Sequence, residues 1–282
     1  MKLWASFLFV FGLSGCPKGP ELTGGTPAED SLRAPDFASP VSIPASSRVK
    51  FSAKLRVPGR AIPSLPGVLL VDSPRFRMIL NGPIGGAVFT AIANEGGMLV
   101  LDHREGRALT VGTDEETGLG SFGVQDVDAL TTTLLGRLPA THLPELTLMS
   151  HEGEEWRYRS QREDGSWVEL GLNALGHLAW LESYQPDGSS LLRLEHEEWQ
   201  EFSSEIPMEA ERLKEHGPIR LPKRSRLVHK GSSVELVLKF SLWQDLMEVG
   251  PSAFETDVPE GIEVLTLQEA MQVAEEQAGS DD

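Results

Sequence analysis

The chain has 282 residues, 40% of them hydrophobic, with 42 acidic against 25 basic side chains and a formal net charge of −17. Such an acidic excess repels phosphate backbones and anionic headgroups, which excludes nucleic acid as an expected partner and excludes electrostatic adhesion of the body to lipid. A single cysteine excludes an internal disulfide and a cysteine-built zinc site, while the apolar content suffices for a large core.

The N-terminus reads MKLWASFLFVFGLSGC. Lys2 precedes an apolar run over 3–11, which is shorter than the roughly 20 residues of a membrane span and suits the apolar region of an export signal. The tetrad Leu13-Ser14-Gly15-Cys16 resembles the lipobox of bacterial lipoproteins. That resemblance implies that 1–15 is a cleaved signal peptide and that Cys16 carries a diacylglyceryl thioether. The other reading is an ordinary signal with a chance cysteine. Acyl chains contribute about 0.8 kcal/mol per buried CH₂, so two or three of them anchor a protein without spanning the bilayer. Pro17 stands where enterobacterial lipoproteins retained in the inner membrane carry Asp, so the outer membrane, periplasmic side, is the expected location. Residues 16–47, dense in Pro, Gly and Ser after the cysteine, are predicted to be a flexible tether.

From there the pattern changes to period two. In 49–57, Val49, Phe51, Ala53, Leu55 and Val57 fall on one side and Lys50, Ser52, Lys54 and Arg56 on the other, which predicts a strand with one wet face. The same period marks 75–81, with Phe76, Met78 and Leu80 inward, and 234–240, with Val234, Leu236, Leu238 and Phe240 inward. Weaker alternation predicts strands at 67–71, 87–94, 98–102, 107–111, 145–149, 155–160, 167–172, 177–181, 190–201 and 226–229, several joined by hairpin-sized turns. Roughly ten to twelve strands drawn from these candidate segments imply one extended antiparallel sheet with an apolar face to cover.

Few helices are available to cover it. Residues 126–137 place Val127, Leu130 and Leu134 at helical spacing behind Asp126 and Asp128, and 267–277 follows Thr266 and Glu269 in capping-box register. A short helix or loop is expected over 208–216. This pattern is compatible with a filled core and with a lined cavity between sheet and helices.

Several stretches resemble the LolA/LolB family of lipoprotein carriers and receptors. The run Asn81-Gly82-Pro83-Ile84-Gly85-Gly86 is similar to the family's Asn-Pro-Leu-Gly turn, with Ile84 in place of Leu and an extra Gly82. Leu134-Leu135-Gly136-Arg137-Leu138-Pro139, then Leu143 and Trp156-Arg157-Tyr158, resemble its leucine-rich helix, turn and aromatic strand. Leu221-Pro222-Lys223-Arg224 before 234–243 resembles its late Leu-Pro-basic segment and last long strand, and Phe254 with Pro259-Glu260-Gly261 is closer to LolA. The resemblance implies a mainly β fold with few helices: a half-open antiparallel β barrel over 48–265, its concave apolar face covered by helices, followed by a C-terminal helix and acidic tail at 266–282. It also implies that acyl chains of other lipoproteins are the ligand. Phe51, Leu55, Phe76, Met78, Leu130, Leu134, Leu236 and Leu238 are the expected lining, and Ile84 the expected membrane-probing residue. By its own chemistry, Ile84 is either exposed at the hairpin tip or folded under the sheet.

Enzymatic constellations are weak. Gly118-Leu-Gly-Ser-Phe-Gly123 has the spacing of a dinucleotide fingerprint, but acids flank it on both sides and no βαβ alternation surrounds it, so a hinge is the better reading. Glu195-His196-Glu197-Glu198 is predicted to be a solvated strand edge, and the tryptophans are predicted to fill the core. No catalytic residue, metal site or cofactor is expected, and a monomer is. The expected partners are lipid acyl chains or other lipoproteins, with the membrane reached through Cys16. The alternatives are a scaffolding lipoprotein that binds a protein and a cell-envelope hydrolase.

Overall fold

The computed structural model describes residues 46–57, 60–61, 63–72, 75–112, 133–136, 146–153, 155–162, 165–206, 210–211, 219–230, 233–266 and 269. Cys16, Leu130, the glycine motif at 118–123 and nearly all of the C-terminal helix lie outside these residues. The alternating segments of the first half form β1 (Ser46–Val57), β2 (Arg60–Ala61), β3 (Leu65–Asp72), β4 (Arg75–Asn81), β5 (Ala87–Asn94), β6 (Gly97–Asp102) and β7 (Arg107–Val111). Those of the second form β8 (Thr147–Glu152), β9 (Glu155–Gln161), β10 (Trp167–Leu172), β11 (Leu178–Tyr184), β12 (Ser190–Phe202), β13 (Ile219–His229), β14 (Val234–Asp245) and β15 (Glu263–Thr266).

All belong to one sheet, ordered β15-β7-β6-β5-β4-β3-β1-β14-β13-β12-β11-β10-β9-β8, with β2 on the end of β1. Every pairing is antiparallel except that of β15 with β7. The first described strand, β1, therefore lies mid-sheet, between β3 and β14, and joins the two meanders. Its register sets Ser46 opposite Asp72 of β3, which is opposite Arg75 of β4. Hence the chain enters the sheet at one end, and the 82–86 hairpin that follows Asn81 lies at the other, about 20 Å away along β4.

The two faces differ as the alternation requires. On the inner face Val49, Phe51, Leu69, Phe76, Leu109, Leu236 and their neighbours form one buried cluster, and a second forms around Tyr158, Leu170, Leu172 and Leu178. On the outer face a chain of ion pairs crosses five strands. Arg56 and Arg226 both reach Glu235 (3.1 and 2.9 Å), Arg226 and Arg193 both reach Glu195 (3.1 and 2.8 Å), and Arg193 also reaches Glu182 at 2.6 Å. Single exposed pairs of this kind are worth about 0.2–1 kcal/mol, and sharing each ion between two partners lowers the side-chain entropy lost per bond.

Three features depart from the expected pattern. β6 is buried on both faces, because Leu99 and Leu101 on its outer side pack against Val258 and Ile262. This is why its sequence, GMLVLD, is an apolar run with poor alternation. β13 begins at Ile219, well before the expected 226, with Pro222 inside it. A proline is tolerated there because the ladder is already interrupted: Glu198, with φ 57, makes no register pair while Glu197 pairs with Arg224 and Trp199 with Pro222. Trp167 and Trp180 are not core: Arg159 lies over the Trp167 ring at 5.5 Å and Arg193 over Trp180 at 5.1 Å, on the ion-paired face.

Candidate functional site

The inner face brings most of the expected lining residues together. Phe51 and Leu55 of β1, Phe76 of β4 and Leu236 and Leu238 of β14 are buried in one cluster, with Met78 packed against it. Gly67 makes room for the Phe51 ring, since a Cβ at that position would stand 2.5 Å from its Cζ. Phe51 leans on Phe240 at 6.2 Å between ring centroids, and Phe240 in turn on Trp243 at 5.4 Å. The face thus carries one continuous apolar cluster.

Of the described residues outside the strands, Leu135 is the one that joins this cluster, with 0% of its surface exposed. The sequence pattern selected Leu130, which lies outside the described residues, and Leu134, which is half-buried beside Leu135. The difference comes from the end of the helix. Residues 133–134 are helical and 135–136 form a turn closed by a bond from Gly136 N to Thr133 O (3.0 Å), with Gly136 in the left-handed region at φ 73. Such a glycine ends the helix and redirects the chain, so helical periodicity no longer assigns the face.

Three links besides Leu135 dock this turn. Gly136 sits so close to Trp199 and Pro222 that a Cβ would lie 2.5 Å from the indole. The Leu178 N–H donates to Gly136 O at 3.2 Å. His196 places Nε2 2.9 Å from Thr133 O and Nδ1 2.8 Å from Ser225 Oγ. Because a carbonyl only accepts, Nε2 carries the proton and Nδ1 of the neutral ring accepts from the Ser225 hydroxyl. Burial pushes His196 down to about 4, and the bond to Thr133 opposes that only in part. The expected solvated edge at 195–198 is therefore corrected: β12 lies between β11 and β13, and His196 is 5% exposed on the apolar side. The register was legible, since Leu192, Leu194 and His196 alternate together, but an acid-rich context pointed outward. Trp199 stacks on His177 at 4.8 Å and meets His196 edge-on at 6.0 Å.

The second candidate element is the β4–β5 hairpin. Gly82 N donates to Gly86 O (2.9 Å) and Gly85 N to Gly82 O (3.1 Å), while Gly85 and Gly86 take φ of 87 and 81. The loop this makes leaves Ile84 101% exposed, so the tip reading stands and the folded-under reading falls. Residues 83–87 are all exposed, and the sequence Gly-Pro-Ile-Gly-Gly-Ala carries no charge.

No protein-family model matches the chain, and no curated protein matches it in sequence. Solved structures do resemble it. A DUF1329 family protein from Desulfovibrio piger aligns at TM-score 0.51 and 10% identity over 78% of this chain and 95% of its own. A putative outer membrane lipoprotein-sorting protein domain from Vibrio parahaemolyticus aligns at TM-score 0.51 and 10% identity over 75% of this chain and 89% of its own. A LolA superfamily protein from Nitrosomonas europaea is 14% identical over 78% of this chain and 94% of its own, with a TM-score of 0.48. At these identities the likeness is one of fold alone, a large open antiparallel sheet.

Proposed function

We propose that the protein is a lipoprotein of the outer membrane, anchored through Cys16 on the periplasmic side, which takes acyl chains of lipids or other lipoproteins onto the inner face of its sheet. The observation that carries this reading is the single apolar cluster running from β5 across β1 to β14, in a fold shared with a lipoprotein-sorting domain. Leu135 of the 133–136 turn is seated in that cluster, and in this reading the turn moves when a ligand enters. Phe51, Leu55, Phe76, Met78, Leu236 and Leu238 then meet the chain, together with Leu130 and Leu134. Ile84 probes the bilayer, its uncharged loop being the part of an acidic body that headgroups do not repel. No bond is made or broken, so the reading asks for no catalytic group and no cofactor, and transfer follows differences in binding free energy.

The test is direct. Protein lacking residues 1–16 is analysed for co-purifying lipid by mass spectrometry and for displacement of a fluorescent fatty acid. Bound lipid that the probe displaces supports the reading, and absence of both overturns it.

A further inference from the structure

A polar side chain, His196, ties the turn at 133–136 to the sheet, and an imidazole can titrate. Its partner Ser225 is 1% exposed, directly opposite His196 in the β12–β13 register. What surrounds the ring decides whether a second proton can be held. The charged neighbours on its own two strands, Glu195, Glu197, Arg224 and Arg226, point to the outer face and pair with one another there, Arg224 with Glu197 at 2.8 Å and Arg226 with Glu195 at 3.1 Å. Glu198 is exposed. Among the described residues, the inner-face carboxylates lie away from the ring, Asp102 on β6 and Asp245 at the far end of β14, where Ser204 and the Ile206 amide bond it. Nearer the ring stand His177, across the Trp199 ring, and His229, further along β13. Both are bases, so neither offers an anion to an imidazolium. From the 133–136 turn the contact is a carbonyl.

We propose that His196 is a proton-sensitive clasp that fastens residues 133–136 over the apolar face, and that acid releases it. The closed state holds the ring neutral, and opening returns it to water. Burial holds the ring near 4 in the closed state, whereas an imidazole in water titrates near 6.5. Opening therefore takes up a proton anywhere between those values. The open fraction rises as pH falls through that window, about 30-fold between pH 7.5 and pH 5. The clasp deepens the acyl-chain reading, on which its purpose rests: it would expose the binding face in response to acidity as well as to ligand.

The Leu178 amide reports the clasp, because its acceptor is Gly136 O. In the full chain in detergent micelles, hydrogen exchange at Leu178, corrected for the intrinsic pH dependence of exchange, should show an opening equilibrium about 30-fold larger at pH 5 than at pH 7.5. The Leu170 and Leu181 amides of the neighbouring strands should hold their protection. His196→Gln, whose amide can still donate to Thr133 but does not titrate, should leave Leu178 equally protected at both pH values. A wild-type measurement stands beside the variant: ¹⁵N shifts of the His196 ring should show the Nε2–H tautomer at pH 7.5. A pH-independent Leu178, an unchanged response in His196→Gln, exchange only through global unfolding, or the Nδ1–H tautomer would each overturn the clasp. Fatty-acid displacement at pH 5 and 7.5 separates the two proposals. Acid opening without fatty-acid binding at either pH keeps the clasp and removes the acyl-chain reading, and binding without acid opening does the reverse.

Discussion

Glu198 holds φ 57 in the interior of β12, where a residue with a Cβ is strained. Its side chain is exposed, so Glu198→Gly exchanges that strain for glycine's larger ordering entropy and should raise stability by about 0.5–1 kcal/mol. Denaturant midpoints measure this, and a loss would mean that the carboxylate has a role at the kink. Gly171 makes the opposite case. A Cβ there would lie 2.2 Å from Trp180 Nε1, so Gly171→Ala must lift the indole off the sheet and away from Arg193, at a cost of about 1–3 kcal/mol with a shift in tryptophan emission. At Ile84 the side chain touches nothing it could destabilise by leaving. Ile84→Glu should keep the unfolding free energy within about 0.5 kcal/mol while weakening association with phospholipid vesicles. A large loss of stability would show that the residue packs in solution.

Strand bounds were readable at several places: 75–81, 87–94, 107–111 and 167–172 have the bounds of β4, β5, β7 and β10, even though β5 is buried on both faces from Phe89 to Ala93. Other segments were harder to read. β6 is covered on both faces, β13 carries a proline that only the break at Glu198 makes tolerable, and β15 is four residues pairing in parallel with a strand far away in sequence. Among site residues, the inner-face positions of β1, β4 and β14 followed from alternation. Leu135 and His196 did not, one hidden by a helix end and the other by flanking acids. The expected capping-box pair is present: Thr266 N and Oγ1 both donate to Glu269 Oε2 (2.8 and 2.9 Å), and Glu269 N donates back to Thr266 Oγ1 at 3.3 Å.

At the scale of the molecule, acid should act in two stages. Burial holds both His196 and His229 below their ordinary value, so the unfolded chain binds more protons than the folded one below about pH 6.5. Their contribution is complete above that pH and is lost as pH falls toward the folded values. The carboxylates of the outer ladder follow. Burial alone would raise Glu182, Glu195 and Glu235, but bonds to Ser190 or the ladder arginines hold each below the usual range. Their stabilisation is present above about pH 4.3 and disappears as they protonate. Unfolding free energies at pH 7.5, 5.5 and 3.5 should decline over both intervals, and His196→Gln with His229→Gln should flatten the first interval alone. The polarity of β1 and β4 has a consequence of its own. On the proposed anchoring at Cys16, the Ser46 pole is the tethered one and Ile84 sits on the opposite pole. Touching that same bilayer would then require the domain to somersault, so shortening residues 17–45 would choose between the near membrane and whatever lies across the gap.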